Sequence, residues 1–177
     1  MNKKLRKTYG KADAPSTVAL MRLIETQSKT TIANWTLDYA ERTMLPLFLS
    51  HCLDDNRPAH AIAAAREWLD GKIKLPYVKN IILNECHAAA RELNDNPVAQ
   101  AAARAIGQSA GSIHAAPHSL GLLFYAAAAV GYDRLGFEAN KEEYEVIAED
   151  VCADYTAALR AVAVESEPNP AVCKWHC

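Results

Sequence analysis

The sequence predicts an all-α fold, a single-domain bundle of about six helices around a central Ala/Gly-rich helix that carries histidines. Three observations lead there. Half of the 177 residues are hydrophobic, and alanine, a strong helix former, recurs in runs. Alternating apolar–polar stretches rich in Val, Ile and Thr, the mark of half-buried strands, are absent. Turn signals fall between stretches of helical length.

The elements follow in order. A basic leader, MNKKLRKTYGKADAP, precedes a short helix near 16–26. It has no apolar segment behind its charges, so it does not read as an export signal. A long helix near 29–51 has Trp35, Leu37, Met44, Leu47 and Phe48 as core residues, with Pro46 bending its end. Asp54-Asp55-Asn56-Arg57-Pro58 is a loop whose proline opens a helix near 58–71, closed by Gly71. Pro76 opens the next, near 76–94, with Asn80, Asn84, His87 and Arg91 on one polar line. Asn94-Asp95-Asn96-Pro97 leads into a helix near 97–130, and 131–140 into a last one near 141–165. That helix has a capping signal in Asn140 and Glu143 and one apolar stripe through Tyr144, Ile147, Val151, Tyr155, Leu159 and Val162. Pro168 and Pro170 predict a flexible tail over 166–177, after a helical domain over 29–165 and a leader over 1–28.

Composition narrows the function. A net charge of −2 argues against a dedicated nucleic-acid binder, although Lys3, Lys4, Arg6, Lys7 and Lys11 concentrate positive charge at the start. No stretch has the unbroken apolar length of a membrane span. Five cysteines without an export signal favour a reducing compartment, hence the cytoplasm. Cys52, Cys86 and Cys152 read as small buried thiols, and CKWHC, with Cys173 and Cys177, as tail.

The segment GSIHAAPHSLGLLFYAAAAVG (111–131) poses the central question. On a helical wheel over 97–130, Gln100, Ala103, Gly107, Gly111, His114, His118, Gly121 and Tyr125 form one stripe with Arg104 at its margin. Three glycines on one helix face signal close approach by a helix or a bound group. Pro117 predicts a kink between the histidines. HAAPH lacks the glutamate of HExxH, so zinc held by His87, His114 and His118 is the lesser alternative, and no cofactor is expected. Ser112 and Ser119 lie in no nucleophile elbow, so no catalytic residue is assigned. The preferred reading is a buried polar seam, or else a pocket, formed by Asp38, Arg42, Asp55, Arg57, Arg66, His87, Arg91, Arg104, His114, His118 and Tyr125. Glu142, Glu145 and Glu149 offer an acidic partner surface.

The ordered motifs NWTLDYAERTMLPLF (34–48), DDNRPAHAIAAAREWLDGK (54–72), CHAAARELND (86–95) and AAARAIGQSAGSIHAAPHSLGLLFYAAAA (101–129) resemble the immunity proteins of bacterial polymorphic-toxin systems, in the group described as immunity-protein-five-like. The resemblance covers about residues 30–130. It implies a small cytoplasmic helical protein, more a binder than an enzyme, that neutralises a cognate toxin by binding it. It carries over no catalytic residues. The alternative from the residues themselves is an α-helical enzyme or ligand-binding domain built on the His/Arg/Asp seam.

Overall fold

The computed structural model describes residues 5–175. Among them are nine α-helices: α1 (Pro15–Ile24), α2 (Lys29–Tyr39), α3 (Leu45–His51), α4 (Arg57–Leu69), α5 (Leu75–Ile81), α6 (His87–Glu92), α7 (Pro97–Gly111), α8 (His118–Leu135) and α9 (Lys141–Val162). Two π turns, Ala40–Met44 and Ile82–Cys86, join α2 to α3 and α5 to α6, so the chain runs as seven rods. The all-α expectation holds, with seven rods where about six were expected.

Local chemistry sets the boundaries. The Ser28 hydroxyl accepts from Thr31 N–H, and Asn96 Oδ1 accepts from Ala99 N–H at 3.1 Å. Asn140 and Glu143 form the reciprocal capping box expected of them. Gly71 and Gly136 follow α4 and α8 at φ 73° and 69°, a region that glycine enters without steric cost. The π turn before Pro46 has a direct cause. Proline has no N–H to give the preceding turn, and its ring crowds the carbonyl four residues back; widening that turn relieves the clash.

α7 is the axis. It touches α2, α3, α4, α6 and α8, and most of its residues are buried. Alanine along it lets the surrounding rods approach closely. Of the expected core in the second rod, Trp35, Leu37, Met44 and Phe48 are buried and Leu47 is half-buried. Cys86 and Cys152 are buried as expected; Cys52 is only half-buried. Burial pushes the Cys86 thiol up to about 12, and it donates to Ala103 O.

One expectation is overturned in this region. Residues 97–130 do not form a single kinked helix. α7 ends at Gly111, residues 112–117 turn, and α8 starts at His118 and runs back along α7. Pro117 disfavours helical geometry at Ala116 and, lacking an N–H, suits the entry to a new helix. The glycine–histidine stripe therefore folds onto itself.

Both ends of the described chain are docked. Leu5–Ala14 form a strap across α8 and α9: Tyr9 N–H donates to Phe124 O, Gly10 N–H to Glu145 Oε2 at 3.1 Å, and the Tyr132 hydroxyl to Arg6 O. The Tyr9 ring stacks on Tyr144 at 4.6 Å. Lys3 and Lys4 of the leader lie outside the described residues. At the other end, the stretch expected as a flexible tail is held from 164 to 175. Val164 N–H donates to Gln27 Oε1, Gln27 Nε2 donates to Val164 O, and Ala171 N–H donates to Gln27 O. Glu167 accepts from Ser28 N–H at 2.7 Å and from the Thr31 hydroxyl at 2.6 Å, and Trp175 Nε1 donates to Glu25. Sequence reading weighed the prolines and missed Gln27, whose amide replaces the missing backbone partners. Cys177, in the CKWHC tail, lies outside the described residues.

Candidate functional site

The three glycines of the stripe face three polar side chains of the molecule itself. Gly107 leaves room for the His87 ring: a Cβ there would lie 2.9 Å from His87 Nδ1 and closer still to the ring carbon beside it. Gly111 faces the His118 ring, with 3.1 Å from its would-be Cβ to Cδ2. Gly121, on α8, faces the Gln108 carboxamide. His118 Nδ1–H donates to Gln108 Oε1 at 2.7 Å, which leaves Nε2 as an acceptor on a neutral ring. His114 lies beside it, with ring centroids 5.4 Å apart.

All three imidazoles titrate below the ordinary histidine value. Burial is the main cause for each. Arg91, His118 and Arg104 add repulsion at His87, and His118 and Lys79 add it at His114. They are neutral at pH 7. A groove of about 540 Å³ opens beside His118 and Gln108, walled by Thr8, Gly10, Leu120 and Phe124. Among the described residues no group of three His, Cys, Asp or Glu side chains is placed to hold a metal ion, so His87, His114 and His118 do not assemble the zinc alternative.

The eleven seam residues are not one buried seam. None is buried, and Asp38, Arg42 and Arg91 are exposed. They fall into separate groups. Arg66 bridges Asp38 at 2.8 Å and Glu41 at 2.6 Å on the outer side of α2 and α4. Arg57 bridges Asp55 and Glu92, each at 2.8 Å, where α4 begins and α6 ends. Hydrogen bonding from Arg57 holds the Asp55 carboxyl below the usual carboxylate range. Arg42 lies over the Tyr39 ring and Arg104 over that of Tyr125, at 5.8 and 5.9 Å. Among the described residues Arg91 reaches only the Leu83 carbonyl. The polar line Asn80, Asn84, His87, Arg91 is broken by the π turn at Ile82–Cys86. Its wider turn shifts the phase, so His87 meets α7 while Asn80, Asn84 and Arg91 face outward.

The polar groups that are fully buried are mainly hydroxyls. Thr36 and Ser112 share a hydrogen bond of 2.6 Å, Ser112 also donates to Ser109 O, and the Ser119 hydroxyl donates to Ala116 O. Tyr155, wholly buried, donates to Ser119 O at 3.2 Å and stacks on Trp35 at 4.0 Å. Sequence reasoning passed over this line. The signal available was three serines in the segment 109–119, each able to bond a nearby helix carbonyl.

Of the acidic trio, Glu142 and Glu149 are exposed, while Glu145 turns inward to the strap, 3.8 Å from Arg6. Glu142, Val146, Glu149, Asp150 and Ala153 form one exposed stripe along α9. Among the described residues no helix is long and apolar enough to cross a membrane.

These features define the class, an all-α protein wound about one alanine-rich axis, with its ionic groups kept at the surface. Residues 22–169 match the family described as "Imm-5 like putative immunity protein", and the chain belongs to that family. No curated protein and no solved structure matches the chain.

Proposed function

We propose that this chain is an immunity protein that acts in the cytoplasm by binding a cognate bacterial toxin and so neutralising it. The observation that carries the reading is the family match, which spans every rod of the bundle except the beginning of α1. The docked strap and tail support it, because a surface held in place loses little conformational entropy on binding. The exposed α9 stripe is the proposed contact. Its carboxylates Glu142, Glu149 and Asp150 surround Val146, which is 62% exposed, and suit a basic partner surface.

Co-expression with the toxin encoded beside its gene tests this. The chain protects growth, and the purified protein forms a stoichiometric complex with that toxin. The double reversal Glu142→Lys/Glu149→Lys slows association about tenfold or more at low salt. Absence of both protection and complex would refute the reading.

A second reading rests on the groove beside His118, in which the chain is a ligand-binding domain or an enzyme. It predicts that His118→Ala abolishes activity in the cell while the complex with the toxin persists. The immunity reading predicts that protection survives this substitution.

A further inference from the structure

We infer that the cavity between the N-terminal strap and the start of α7 binds a phosphoryl dianion, either phosphate itself or the phosphate of a small phosphomonoester. This site is separate from the α9 stripe and does not depend on the toxin reading.

The cavity measures about 280 Å³. Its charged lining is wholly cationic, with Arg6 and Lys7 from the strap and Arg104 from α7. Among the described residues, neither Lys7 nor Arg104 has a carboxylate within 4.0 Å, and Arg6 shares Glu145 at a loose 3.8 Å. Arg57 and Arg66, by contrast, are each closed by two acids.

Arg104 is half-buried and lies over the Tyr125 ring, so its guanidinium is positioned before any ligand arrives. Neutral donors complete the wall. Gln100 donates to the Asn94 carbonyl oxygen, which leaves the Asn94 amide N–H groups for a ligand. The Tyr132 hydroxyl holds the Arg6 carbonyl and so fixes the strap side of the cavity.

Charge selects the ligand class. Three cations, one of them partly shared with Glu145, leave roughly two positive charges uncompensated. A phosphate monoester carries about −1.5 to −2 at pH 7 and three acceptor oxygens. A lone carboxylate would leave one cation unmatched. The guanidinium of Arg104 also suits phosphate oxygens by its fork geometry.

The test is calorimetric titration of the full chain with inorganic phosphate and with glycerol 1-phosphate, ionic strength being held constant with chloride. Saturable one-to-one binding is expected. Binding of both ligands identifies a phosphomonoester site; binding of phosphate alone identifies a site for the free ion. Arg104→Gln weakens affinity at least tenfold, and Lys7→Gln, at an exposed position that cannot endanger folding, at least threefold. Lys79→Gln removes the same charge outside the cavity and leaves affinity unchanged. No saturable binding by either ligand, or an equal loss in Lys79→Gln and Lys7→Gln, overturns the inference.

Discussion

The two sides of α7 handle polar groups in opposite ways. Toward α2 and α9 lie hydroxyls, and Thr36, Ser109, Ser112 and Ser119 are all but inaccessible. Toward α6 and the start of α8 lie half-exposed imidazoles, two of which, His87 and His118, are set on bare glycine backbone. The difference follows from reach. A serine or threonine hydroxyl can satisfy itself on a carbonyl one turn away in its own helix, as Ser112 and Ser119 do, and Thr36 then donates to Ser112. An imidazole cannot. It needs a partner from elsewhere, and among the described residues only His118 has one at this site, in Gln108. The other two stay near the rim; among the described residues His114 Nδ1 is buried without a partner, as is Ser109 Oγ on the hydroxyl side. The first side is where the chain is sealed, and the second is where it stays adjustable.

Breaking the sealed side has the largest effect. Tyr155→Ala removes a wholly buried ring stacked on Trp35 and edged by Tyr39, and costs about 3–5 kcal/mol, read from the urea midpoint. Tyr155→Phe keeps the ring and loses only the bond to Ser119 O, so it costs about 1 kcal/mol. If both variants cost the same, the hydroxyl line and not the packing dominates this side.

The glycine cradle is next. In Gly107→Ala the new Cβ meets the His87 ring, and the expected loss is about 1–3 kcal/mol. Adding His87→Ala removes the obstacle, so the double variant is more stable than Gly107→Ala alone. A loss unchanged in the double variant would mean that helix backbone, not the imidazole, requires the glycine.

A smaller effect separates the two sides by pH. The three imidazoles have folded-state values below the ordinary 6.5, so the unfolded chain takes up protons first as pH falls. Their contribution is complete above pH 6.5 and is lost as pH drops through the folded values. Asp55 and Glu92, lowered by hydrogen bonds from Arg57, begin to cost stability only below about pH 4.5. Urea midpoints between pH 7.5 and 5 should therefore fall in the native chain. They should fall less in His87→Ala/His118→Ala, whose remaining slope reports His114. Equal slopes in the two proteins would show the imidazoles to be unperturbed.

The fold was legible in the sequence because helix periodicity, proline entry points and the Asn140 cap are local signals. The candidate site was legible only in its ingredients. The three glycines signal a close approach, and His87 and His118 stand among the candidate polar residues. Their meeting was hidden, because it depends on the reversal at 112–117 and on the phase shift in the π turn at Ile82–Cys86, neither of which a straight wheel contains. The seam reading also groups Arg57 and Arg66 with the histidines. Charge type alone does not say which face a long side chain reaches, since an arginine on an alanine-rich helix can extend its head to solvent.

The smallest effect tests that point. Arg66 was read as part of an internal seam, yet its partners Asp38 and Glu41 have side chains 62% and 52% exposed. A surface ion pair contributes about 0–1 kcal/mol, because water already solvates both charges and salt screens their attraction. Arg66→Ala should therefore shift the urea midpoint by no more than that range, and the shift should shrink further in 1 M salt. Two acids share this one guanidinium, so its loss also leaves Asp38 and Glu41 close together without a cation. The double variant Arg66→Ala/Glu41→Ala should then be no less stable than Arg66→Ala. A loss of about 3 kcal/mol or more, insensitive to salt, is what removing one partner from a buried ion pair produces. It would put Arg66 back inside the seam and erase the contrast between a sealed hydroxyl side and a charged exterior.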